Sequence, residues 1–261
     1  MKFKPISVVA LFLLLSFSAV TYGTERNTVP PGDKPEGPRS PAWNDGPDQG
    51  TPEVPLIRKM SEGVFLLGDI TINKLKGTVT VKGEVNMNEG LVEYFVVGPR
   101  GKLHESVFKL HVDPYHIQIA LLLIGLEPGN KPLSYQGAPE TPKGDPVEIW
   151  VTWHTSDKKE VMYRAEDCLF NKKTQKTMEH THWVFTGSQI IDGRFMAGVE
   201  HSIAATYHDP FAILDHPLST GADDTLYFVN TDVVPPKGTA VFFIIKSLKL
   251  EKSQGMSPAA S

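Results

Sequence analysis

His104, Glu105, His111 and His116 lie close together in the chain, with Asp113 among them. Imidazole nitrogen and carboxylate oxygen are sound ligands for zinc and related divalent ions. The expected metal set is His104, Glu105 and His116, with His111 as a spare ligand. In an enzyme, Glu105 would be the general base and the metal would activate water. The plainer account has His104 and Glu105 hydrogen-bonding loop backbone. If Leu103 to Leu110 is a strand, His104 and Glu105 point to opposite faces, and both reach one ion only where the strand bends.

His180-Thr181-His182 is a second, weaker metal cluster, because residues two apart on a strand share a face. Glu200-His201 and His208-Asp209 would add ligands if their strands are neighbours. No His-Glu-x-x-His signature is present. Ser106 follows His104-Glu105 and Ser188 ends Thr186-Gly187-Ser188 as candidate nucleophiles, yet the G-x-S-x-G elbow is absent. Arg164, Glu166 and Asp167 read as an ion-pair network that fixes the fold. Asp223-Asp224 reads as turn capping, since the calcium-loop pattern is missing. Asp209-Pro210 opens a short helix by capping it, with an anion at that helix start as the alternative. Trp150, Trp153 and Trp183 are core or sheet-face residues.

The elements that must position these groups are mostly strands. Gly77 to Val85 sets Val79, Val81 and Val85 against Thr80, Lys82 and Glu84, the period of two that marks a half-buried strand. Leu91 to Val97 returns after the Asn86–Gly90 turn, so the two segments are expected to form a hairpin. Val147 to Trp153 alternates again. Glu160 to Phe170, Met178 to Phe185, Met196 to Tyr207, Leu226 to Val229 and Thr239 to Ile245 supply further strands. Asp113-Pro114 opens the clearest helix, with aspartate as N-cap and proline at the first helical position. That helix is expected over about 113–125, apolar nearly all round and therefore buried on several sides. A short second helix is expected over about 209–215. The fold class is then α+β: mainly antiparallel β-sheets with one buried helix and one minor helix.

The N-terminus reads as an export leader. Lys2 and Lys4 precede the uncharged apolar stretch Ile6 to Val20, and Thr21 and Gly23 are small residues at the positions a signal peptidase reads. The stretch is shorter than the roughly 20 residues that span a bilayer. An uncleaved anchor is the alternative, and no membrane span is expected once the leader is removed. Removing residues 1–23 takes the net charge from −4 to −6. Such a chain lacks the basic footprint of nucleic-acid binding. Residues 24–55, rich in proline and glycine, read as a disordered tether. Residues 56–250 form one domain, and 251–261 a loose tail. Cys168 is the only cysteine, which excludes an intramolecular disulfide and a cysteine-ligated iron–sulfur cluster.

Gly90-Leu91-Val92-Glu93-Tyr94, Gly101-Lys102-Leu103-His104-Glu105-Ser106, Pro114-Tyr115-His116 and Ala120 to Gly129 resemble the YdjY-domain family of exported bacterial proteins. Arg164 to Asp167, Trp183 to Ser188, Asp223-Asp224 and Tyr227 to Asn230 carry the same likeness, which covers roughly Leu56 to Ile245. The resemblance implies export and no defined biochemistry. Some relatives carry a ferredoxin-type label, from which this chain departs with its single cysteine. The expected function is a non-catalytic binding or accessory module of the periplasm or cell exterior, with no certain cofactor and a divalent metal as the one candidate. An extracytoplasmic partner or small ligand goes with that reading. The rivals are a metal-dependent hydrolase of cell-envelope material and a purely structural partner-binding domain.

Overall fold

The structure is a computed structural model that describes residues 55–249. Apart from Pro55, the expected leader, tether and tail lie outside the described residues. In chain order the strands begin with β1 Ile57–Ser61, β2 Val64–Leu67, β3 Ile70–Asn73, β4 Thr78–Val85, β5 Tyr94–Val97 and β6 Ser106–Leu110. Helix α1 Pro114–Leu123 is followed by β7 Asp145–His154, β8 Glu160–Arg164, β9 Leu169–Asn171, β10 Lys176–Thr177, β11 Trp183–Phe185, β12 Ile190–Ile191 and β13 Arg194–Phe195. Helix α2 Met196–Glu200 then leads to β14 Ser202–Ala205, β15 Leu214–Asp215, β16 Tyr227–Val229 and β17 Ala240–Ser247.

Eight strands close on themselves in the order β4, β17, β7, β11, β15, β14, β5, β6, and β6 returns to β4. The barrel is mixed, because β14 with β15 and β5 with β6 run parallel while the other neighbours are antiparallel. Closure leaves these strands without a free edge, which is how a barrel avoids exposing unpaired backbone. Two strands share one edge between two partners. The first half of β4 pairs with β3 through Thr78 to Thr80, and its second half pairs with β6 through Gly83 to Val85. In the same way β7 pairs with β11 near Val147 and with β8 from Trp150 onward. The β1–β2–β3 meander and β8 therefore extend from the barrel, and β9, β10 and β16 form a separate small sheet.

Alternation fills the interior. Val79, Val81 and Val85 of β4 and Val241, Phe243 and Ile245 of β17 are buried. They meet an aromatic centre in which Phe95 lies 5.2 Å from Phe108 and 5.9 Å from both Trp183 and Phe243, centroid to centroid. Each such side chain contributes roughly 1.5–3 kcal/mol by leaving water.

This architecture corrects the expected α+β fold. The sheets are not mainly antiparallel layers with a buried helix but a closed mixed barrel. The expected hairpin of β4 and β5 does not form, because β6 takes the place between them. Asn86 locks that arrangement, its Nδ2 donating to Leu103 O at 2.5 Å and to Ser106 O at 2.7 Å. Helix α1 starts as expected, with Asp113 Oδ1 accepting from Tyr115 N at 2.8 Å. Its burial is one-sided, however: Ile117, Ala120 and Leu121 are buried, whereas Leu122 is 45% exposed. No helix forms over 209–215. Asp209 Oδ1 accepts instead from Phe211 N at 2.8 Å, a tight aspartate turn, and the chain then joins the sheet as β15. The second helix is α2, within a segment expected to be strand, and His201 ends it at a left-handed φ of 56°. A three-residue turn of 3-10 helix, Leu103–Glu105, likewise replaces the start of the expected strand over 103–110.

A buried His–Asp–His cluster as candidate metal centre

Among the described residues, the one group of three that could hold an ion includes none of His104, Glu105, His111 and His116. His104 is highly exposed and lies 3.5 Å from Glu105, which also sits 3.8 Å from Lys102. His111 reaches Glu84 at 3.4 Å, but Glu84 has its closer partner in Lys109 at 2.7 Å, whose hydrogen bond holds that carboxyl below its usual range. His116 occupies the first turn of α1. His180 Nε2 meets Asp167 at 2.7 Å, and His180 and His182 line an open cleft with Glu148, Arg164, Thr181 and Leu248. Ser106 Oγ donates to Lys102 O, and Ser188 Oγ donates to Phe211 O while accepting from Ala197 N. Both serines are thus engaged with backbone. Asp223 accepts from Thr225 N and Oγ1 as a turn cap.

Among the described residues, the one group of three whose ligand atoms lie within 4.8 Å of one another is His208, Asp215 and His216. All three are completely buried. His208 follows β14, Asp215 ends β15, and His216 comes next, so the parallel contact between Ala204 and Leu214 brings the segments together. His208 Nδ1 meets Ala138 O at 2.9 Å, the closer of the two backbone carbonyls its ring nitrogens face and the one to which its N–H is assigned. His216 Nε2 donates to Thr206 O at 2.8 Å, an assignment made from the acceptor it faces. Each ring thereby uses one N–H on a backbone carbonyl, as metal-binding histidines do to fix ring orientation and tautomer. His216 Nδ1 is then a buried lone pair with no hydrogen-bond partner. His208 Nε2 faces His216 O at 3.1 Å and Asp215 Oδ1 at 3.9 Å. Asp215 accepts from His216 N at 2.7 Å and from Asp209 N at 3.1 Å.

The packing round the cluster is tight. Gly221 O accepts from His208 N at 2.7 Å, and a Cβ on Gly221 would run into the His208 ring. Trp183 and Tyr227 stand edge-on to His216 at 5.6 and 6.0 Å. Asp209 is held by Tyr94, whose hydroxyl donates to Oδ2 at 2.9 Å and accepts from Lys102 at 3.2 Å and Gln136 at 3.1 Å.

Burial sets the charges. It pushes the Asp215 carboxyl well above its ordinary range and raises Asp209 as well. The same burial pulls the His216 imidazole down to about 4 from 6.5. Burial thus favours the uncharged forms of both Asp215 and His216. The His216 shift also predicts a pH dependence of stability. The unfolded ring takes up its proton near 6.5, so this contribution is present above pH 6.5 and is lost as pH falls toward 4. Its full extent is about 3 kcal/mol. Asp215 and Asp209 run the other way, as a cost that grows as pH rises above 3.8. Urea unfolding between pH 7 and 4 should show a shallower acid-side loss in His216→Phe than in the wild type; parallel profiles contradict the assignment.

The sequence reading reached His208 as an auxiliary ligand and missed Asp215 and His216. The one signal was the reversed pair of dipeptides, His208-Asp209 and Asp215-His216. Fold and site together define a closed mixed β-barrel that encloses a His–Asp–His cluster. The YdjY domain pattern matches residues 70–246, from β3 to β17, and the chain belongs to the YdjY domain family. No curated protein and no solved structure matches it.

Proposed function

We propose that the domain is an exported, non-catalytic binding or accessory module that holds one divalent transition-metal ion between His208, Asp215 and His216. The observation that carries this reading is the pair of oriented histidines, above all the buried, unpartnered Nδ1 of His216 beside a carboxylate. Two imidazoles and one carboxylate suit zinc and its neighbours. Complete burial favours holding over hydrolysis, because a metal-activated water would have to meet a substrate. Lys2, Lys4 and the apolar stretch Ile6 to Val20 support export. An ion bound only by the folded state would add to its stability.

Elemental analysis of the full chain, purified without chelator, should find about one equivalent of metal. The same preparation of Asp215→Asn should carry none. A wild-type chain that stays metal-free after refolding with zinc contradicts the proposal.

A further inference from the structure

Between α1 and β7 the chain forms neither helix nor strand, and its ends meet. Pro128 bridges Gly144, Glu127 N donates to Asp145 Oδ2 at 2.8 Å, and Lys249 Nζ reaches Glu127 at 3.1 Å and Asp145 at 3.0 Å. Residues 128–144 are thus a compact loop closed at its neck, a kind of loop often used for function. Its tip lies on the His208–Asp215–His216 cluster. Gln136 Nε2 donates to Tyr94 OH at 3.1 Å, Gly137 N donates to His208 O at 2.7 Å, and Ala138 O accepts from His208 Nδ1 at 2.9 Å. Gly137 has a φ of 77° and lies so close to Tyr207 that a Cβ would strike the ring. Three consecutive residues of one loop therefore fix the His208 ring and its surroundings.

Beneath the loop, packing is incomplete. Lys131, Pro132, Leu133, Pro142 and Lys143 face Thr186, Ser188, Asp209 and Pro210 across a narrow cavity. The other sides of the cluster are built from the β14 and β15 ladders, the rings of Trp183 and Tyr227, and Gly221 against the His208 ring. Opening through the ladders means breaking the barrel, whereas the loop tip, which makes more of the contacts to His208 and its surroundings than Gly221 does, is released by losing a few hydrogen bonds. Segments of this kind open locally, without global unfolding.

We propose that residues 128–144 are the gate of the buried cluster, and that a divalent ion enters and leaves when the loop tip lifts from His208. This gating role rests on the metal-binding reading, and one experiment separates the two. Wild type and Gln136→Ala, as full chains, are treated with diethyl pyrocarbonate, and modification of His208 and His216 is followed by peptide mapping. In parallel, zinc-loaded protein is challenged with a chelator and amide hydrogen exchange is recorded. Releasing the latch should speed modification of both histidines and zinc loss by about tenfold, in step, with little change in the thermal midpoint. Loop amides should exchange faster than those of β17. Faster modification in a chain that takes up no zinc leaves the gate standing and removes the metal reading. Unchanged modification in Gln136→Ala overturns the gate, as does faster exchange at residues 219–222 than at 129–143.

Discussion

Replacing Arg164 with methionine should destabilise the domain by about 3–5 kcal/mol. Arg164 closes β8 and grips Glu166 with both arms, Nε and Nη2 each at 3.1 Å from a carboxylate oxygen. Its Nη1 donates to Glu148 at 2.9 Å and its Nη2 to Thr181 O at 2.5 Å. Glu166 is completely buried, and Thr181 N donates to it at 3.2 Å. Taking the guanidinium away leaves a carboxylate in the interior with one weak donor, which is why breaking such a pair costs more than the pair contributes. Urea unfolding should show a lower midpoint with an unchanged slope. The double variant Arg164→Met with Glu166→Leu should recover most of the loss, since it removes the stranded charge. A single-variant loss below about 1 kcal/mol would mean the pair behaves as an exposed one.

The second large effect concerns the ion. His216→Ala and Asp215→Asn should each weaken zinc binding by well over the roughly 10–100-fold that changes in supporting residues cost. Calorimetric titration of the wild type in buffers of different ionisation enthalpy should also reveal proton release on zinc binding, because ligation requires an ionised Asp215 and burial raises that carboxyl. Affinity should accordingly rise with pH. His104→Ala and His116→Ala should leave the titration unchanged. Retained zinc affinity in His216→Ala, or its loss in His104→Ala, would move the site back to the surface residues nominated from sequence.

Local order was legible where it depended on local pattern. The alternation of β4 and β7 and the Asp113-Pro114 helix start follow from periodicity and capping, which need no distant partner. Family membership was legible too, through runs such as Ala120 to Gly129. Barrel closure was not, because it depends on β6 meeting β4 and on parallel pairings that no turn residue signals. Asp209-Pro210 shows how one signal serves two structures. The same aspartate that caps a helix makes an isolated turn when the next residues, Ala212 to Leu214, are drawn into the core and β15 pairs with β11 and β14. The candidate site was hidden for a similar reason. Asp215 and His216 sit at the end of a two-residue strand after apolar neighbours, and the Ala138 carbonyl that meets the His208 ring belongs to a loop seventy residues earlier. Exposed His104 and Glu105, by contrast, advertised themselves by adjacency, and the 3-10 turn that carries them leaves His104 pointing to solvent.

X-ray absorption spectroscopy of the zinc-loaded chain tests the central claim most directly. The account requires two imidazole shells and one carboxylate oxygen at about 2.0–2.2 Å, with no sulfur scatterer and loss of one imidazole in His216→Ala. A spectrum of hydrated zinc with oxygen neighbours alone, unchanged between wild type and variant, would contradict it.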